Sequence, residues 1–143
     1  MEAAVRTLFE RYERVFNQGL AGDLDLDEAA SLYAPEFIAA SPAGVMTGRN
    51  DARLRAAMAE GYARYRALGM KAMRLRDLRL SAIDGLHCLA HAAWTAAYGR
   101  PGAADVSIDF DVHYLVQRLE GQPRVFGWVS GDEEAALKAH GIA

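Results

Sequence analysis

Val5, Leu8, Phe9, Tyr12, Val15 and Phe16 recur at the three- and four-residue spacing of one helical stripe, while Arg6, Glu10 and Arg14 stand at ion-pair spacing on another side. This pattern predicts an amphipathic first helix that ends at Phe16-Asn17-Gln18-Gly19. After the break at Gly19 to Gly22, Asp23 or Asp25 can cap a second, short helix carrying Leu26, Ala29, Ala30, Leu32 and Tyr33, which Pro35 is expected to stop. Residues 37–40 read as a short strand and Ser41-Pro42-Ala43-Gly44 as a turn, because proline presets its backbone and glycine tolerates positive φ. A third helix follows over about residues 50–68, with Leu54, Met58, Tyr62 and Tyr65 on one stripe.

From Met70 the period falls to two. Met73 and Leu75 share one parity and Leu78 and Leu80 the other, so an extra residue, a β-bulge, is expected near Arg76-Asp77. Asp84-Gly85 is a two-residue hairpin signal. The alanine-rich segment 86–98 has helical propensity, but its place after that turn makes it a strand. Next, Val106, Ile108, Phe110, Val112, Tyr114 and Val116 alternate with Ser107, Asp109, Asp111, His113, Leu115 and Gln117, a long strand with two chemically different faces. A turn at residues 120–123 leads to a last strand over 124–130. Asp132, Glu133 and Glu134 then open a C-terminal helix, where the helix dipole favours acids. Such helices and an antiparallel meander bury their apolar faces together by folding the sheet around the first helix. The class is α+β: N-terminal helices packed on a curved, mostly antiparallel sheet, with a pocket at the wide end of the cone.

Composition narrows the partners. A chain of 143 residues forms one domain, here residues 1–143, with one sizeable core. No apolar run approaches the roughly 20 residues of a membrane span, and Met1 to Arg6 enters helical periodicity without a secretory pattern, so no membrane partner and a cytoplasmic location are expected. Cys88 is the only cysteine, which excludes an internal disulfide and a zinc site of paired thiolates. Between Arg49 and Arg79, nine basic residues against three acids give a local charge of +6 within a net −3. Acids such as Glu60 interrupt the run, which reads as a solvated face; no nucleic-acid partner is expected.

Asp109, Asp111 and His113 occupy alternate positions of one strand, so their side chains leave one face about 6–7 Å apart per step. Were that face to line the cone, Asp111 would orient His113 and His113 would act as acid or base. Were the apolar face to cover the core instead, the three would meet water or a dimer partner. His87 and His91 stand about 13 Å apart on a strand, too far to share one ion, so no metal is expected. Trp94, Tyr98, Phe126 and Trp128 are candidates for core, pocket wall or dimer contact.

The order of these elements, with Arg11-Tyr12 followed by Asn17 and Gly19, then Leu32-Tyr33-Ala34-Pro35-Glu36-Phe37 and Ser41-Pro42-Ala43-Gly44 leading to Gly48-Arg49, resembles the nuclear transport factor 2-like superfamily along nearly the whole chain. It is closest in style to the SnoaL-like and ketosteroid-isomerase-like branches. The resemblance implies a cystatin-like cone, often dimeric through its sheet, among isomerases, cyclases, hydrolases, dehydratases and non-enzymatic binders. It places the first-helix tyrosine at Tyr12 and the strand acid at Asp111 or His113. Ser41-Pro42 stands where the isomerase branch carries Asp-Pro, and a serine hydroxyl without a base cannot abstract a carbon-bound proton near neutral pH.

The reading that follows is a homodimer without cofactor, holding a small apolar or amphipathic organic ligand against Phe16, Tyr33, Ser41, Tyr62 and Trp128. One alternative is an isomerase, cyclase or hydratase with Asp111 and His113 as acid and base and Tyr12 as positioning donor, which requires Tyr12 and His113 in one cavity. The other is a non-catalytic association module whose cone is filled by its own side chains.

Overall fold

Val5, Leu8, Phe9 and Val15 are buried along one side of α1 (Glu2–Leu20), as the stripe requires. Asp25 caps α2 (Leu26–Ser31) by accepting from the amides of Asp27 and Glu28. The chain is seen in a computed structural model that describes residues 1–142. Strands β1 (Tyr33–Ser41) and β2 (Gly44–Arg49) form a hairpin, followed by α3 (Ala52–Ala67), β3 (Met70–Ala82), β4 (His87–Arg100), β5 (Ala103–Gln117), β6 (Arg124–Val129) and α4 (Glu133–Ala139). The six strands make one sheet in the order β2-β1-β6-β5-β4-β3, antiparallel except where β1 runs parallel to β6. The α+β class and the mostly antiparallel sheet are as the periodicity predicts.

Three local expectations are corrected. Pro35 does not stop the second helix; the helix ends at Ser31 and Pro35 lies inside β1, at a register irregularity between Tyr33 and Ile38 where no partner strand needs its missing N–H. Gly44, expected in the turn, opens a strand over Gly44–Arg49 that was not anticipated. Its side chains are nearly all exposed, so no alternation of burial marked them. The β3–β4 connection is a hairpin, but Asp84 builds it by accepting from the amides of Leu86 and His87, and Gly85 does not take the positive φ of a two-residue turn.

The bulge is where the sequence puts it. Leu75 pairs with Trp94 and Asp77 with Ala93, which leaves Arg76 as the extra residue and keeps both Met73 and Leu78 buried. Helix α1 crosses the inner face and is tied to the exposed edge of β3: Asn17 Nδ2 donates to the carbonyl of Met73 (2.7 Å), Asn17 Oδ1 accepts from its amide (2.9 Å), and Glu13 accepts from the amide of Leu75. Gly69 turns α3 into β3 at φ +90°, with its Cα so near the carbonyl oxygen of Gly99 that a β-carbon would lie 2.5 Å from it. Among the described residues, no helix is long and apolar enough to cross a membrane.

Candidate functional site

Between α1 and the inner face of the sheet lies an unfilled cavity of about 470 Å³, within the size range of small-molecule sites. Tyr12 and Phe16 project into it from α1, spaced one helical turn apart. The inner parity of β4, β5 and β6 supplies Trp94, Tyr98, Phe110, Tyr114 and Trp128, and α4 borders the mouth with Ala136 and Leu137. The walls are therefore aromatic on nearly every side. Tyr12 lies against Trp94 and Tyr114 at ring-centroid separations of 5.6 and 5.8 Å, and Trp128 stacks on Phe37 at 5.3 Å.

Four aromatic polar groups of this cavity form a chain. Trp94 Nε1 donates to Tyr114 Oη (3.2 Å) and Tyr33 Oη donates to Tyr12 Oη (3.2 Å). Tyr114 and Tyr12 also meet. Burial first, and contact with Tyr12 second, raise the phenols of Tyr33 and Tyr114 well above the ordinary tyrosine value, so both stay protonated donors near neutral pH. One indole N–H and three phenolic O–H groups share three phenolic oxygens, and a chain of four groups has three links. At least one O–H is left without an acceptor among the described residues, and Tyr12 and Tyr114 both face the cavity. Of the three acidic residues that border the cavity, Asp111, Asp132 and Glu133, two belong to the start of α4: Asp132 caps it by accepting from the amide of Ala135 (3.0 Å), and Glu133 accepts from Tyr65 Oη (3.2 Å). Burial and the charge of Glu133 push Tyr98 up to about 12.

Of the residues expected at the site, Tyr12, Phe16, Tyr33 and Trp128 are together on this wall. Tyr62 lies behind them, in a second cavity of about 130 Å³ bounded by α1, α2 and α3. Ser41 is elsewhere. It ends β1 in solvent, and its Oγ accepts from the amide of Ala43 (3.2 Å).

His113 is not with Tyr12, and Asp111 borders the cavity while its carboxylate turns away, to His91 and Arg76. Ile108, Phe110, Val112 and Tyr114 hold the inner parity of β5, so the alternate residues, Asp109, Asp111 and His113, are exposed on the outer face. The pairing anticipated between Asp111 and His113 is replaced by one across strands. Arg79 donates to His91 Nδ1 (2.7 Å), which therefore carries no proton, and His91 Nε2–H donates to Asp111 (2.8 Å). That hydrogen bond, aided by the charge of Arg76, holds the Asp111 carboxyl below its usual range. His113 stacks on His91 with ring centroids 4.3 Å apart. Among the described residues, no group of three or more His, Cys, Asp or Glu side chains is placed to hold a metal ion.

The sequence reading missed Tyr114, Tyr65 and Glu133. Tyr114 sat in the apolar parity of β5 and Tyr65 on the helical stripe of α3, positions that look the same whether they pack a core or line a void. Glu133 was legible only as a charge at a helix start.

A family model described as NTF2-like protein (DUF6841) matches residues 2–133. No curated protein matches the chain by sequence. Among solved structures, the chain is similar to an NTF2-like protein with a cystatin-like fold from Novosphingobium aromaticivorans (TM-score 0.72, 16% identity, 99% of this chain and 87% of that one). It is also similar to an NTF-2 like protein of unknown function from Shewanella oneidensis MR-1 (0.68, 16%, 92% and 98%) and to a putative scytalone dehydratase from Novosphingobium aromaticivorans DSM 12444 (0.66, 11%, 90% and 80%). At these identities the likeness concerns the fold.

Proposed function

The chain belongs to the NTF2-like protein family DUF6841, and from that membership and the cavity we propose that it binds a small apolar or amphipathic organic molecule carrying one acceptor oxygen, such as a carbonyl. The observation that carries the reading is the unfilled aromatic cavity with a surplus phenolic proton. Aromatic walls favour a flat, apolar body, and an O–H without an acceptor favours a ligand that supplies one. Tyr12, Phe16, Tyr33 and Trp128 are the contacts of this reading, with Tyr12 as the donor. We place the protein in the cytoplasm.

The test is a thermal-shift titration with bicyclic aromatic ketones and the corresponding hydrocarbons. Ketones should raise the melting temperature saturably and more than the hydrocarbons, and Tyr12→Phe should weaken ketone binding about tenfold while sparing the hydrocarbons. Ketones and hydrocarbons that leave the melting temperature unchanged at millimolar concentration would overturn the reading.

A second reading concerns the outer face of the sheet, which we assign to a second copy of the chain. Val129 and Ile38 are 54% and 42% exposed there, beside the half-buried Leu89 and Leu115. Sedimentation velocity should give twice the 15.6 kDa chain mass, and Val129→Lys should return it to one chain. A wild type that sediments as one chain at all concentrations removes this reading.

A further inference from the structure

The smaller cavity is more than a gap behind the larger one. Tyr12, Phe16, Tyr33 and Tyr65 line both, so four aromatic residues stand between the two spaces. They form two pairs: Tyr12 and Tyr33 joined through their hydroxyls, and Phe16 beside Tyr65 with ring centroids 5.7 Å apart. Beyond them, the wall is mostly apolar, with Ala29 and Leu32 from α2 and its end and Met58 and Tyr62 from α3.

Helix α3 covers this space without filling it. None of its residues is fully buried, although Met58, Tyr62 and Tyr65 face inward. At the middle of its inner side stands Gly61, whose backbone is helical and whose added β-carbon would meet nothing within 4 Å. Glycine inside a helix costs stability relative to alanine, and neither backbone conformation nor a close neighbour requires it here. What it preserves is volume.

We infer that the ligand is a two-part molecule, with its flat body in the larger cavity, its acceptor oxygen at Tyr12, and a short apolar arm that passes these aromatic residues into the smaller cavity beside Gly61. The inference rests on the binding proposed above. An apolar cavity near 150 Å³ takes a guest of benzene size, so about 130 Å³ limits the arm to about four carbons or one ring. The chemical class is an acyl-substituted aromatic or a close analogue.

The experiment is isothermal titration of the full chain with 1-acylnaphthalenes, from acetyl through pentanoyl to octanoyl, on the wild type, Gly61→Ala and Gly61→Leu. Each methylene moved from water to an apolar wall is worth about fourfold in affinity, so pentanoyl should bind at least tenfold more tightly than acetyl, with no further gain at octanoyl. Gly61→Leu fills the smaller cavity and should bring the pentanoyl-to-acetyl ratio close to one, while Gly61→Ala lowers it by a smaller factor. Circular dichroism and melting temperature verify that both variants are folded. A ratio that is the same in all three proteins, or a wild type indifferent to arm length, overturns this inference and leaves the cone reading standing. If no acylnaphthalene binds, both fall.

Discussion

Asn17 takes the place that a neighbouring strand would occupy beside β3, presenting an amide to the backbone of Met73 as a peptide group would. Asn17→Leu leaves the Met73 amide and carbonyl without partners in a half-buried setting, and should lower unfolding free energy by about 2–3 kcal/mol in a urea titration. At this scale the sequence was legible where periodicity alone decides, and Tyr12 and Phe16 follow from a stripe that could face only one way. It was not legible where two faces competed. The alternation along β5 separated Asp111 and His113 from Tyr114 without saying which set turned inward, because an apolar face can line a void as well as a core. Ser41 followed from a likeness of position, and its side chain serves the local turn.

Among the elements, the bulge in β3 was readable because two parities of leucine and methionine cannot both be buried without an inserted residue, whereas β2 escaped because neither of its faces is covered. Helix α4 is the element on which access to the larger cavity depends. It is held by the buried side chain of Leu137, by the contact of Glu134 with Arg64, and by Tyr65 donating to Glu133. Leu137→Ala should cost about 2–4 kcal/mol and make the amides of residues 133–139 exchange with solvent well before those of β4, as read by hydrogen-exchange mass spectrometry. Equal protection of α4 and β4 in that variant would mean that the helix is anchored by its backbone and does not depend on the leucine.

For the molecule as a whole, burial of phenols sets the alkaline limit of the fold. Tyr33, Tyr62, Tyr65, Tyr98 and Tyr114 all have raised pKa values, chiefly through desolvation, and Tyr98 reaches about 12. A group whose pKa is higher when folded stabilises the fold fully below its unfolded value, near 10 for tyrosine, and that contribution is lost as pH rises through the folded value. Stability should therefore decline from about pH 10 upward, and the phenolate absorbance of these five residues should appear together with loss of the circular dichroism signal. Phenolate forming at pH 10 in a fully folded protein would show that the cavity is open to hydroxide. The same enclosure has an optical consequence. Trp94 and Trp128 are the only tryptophans of the chain, and both line the larger cavity, so its indole emission has no contribution from a remote site. While the fold is intact, a quenching or spectral shift on adding a compound reports on that one space, and the unlabelled protein is its own fluorescent sensor.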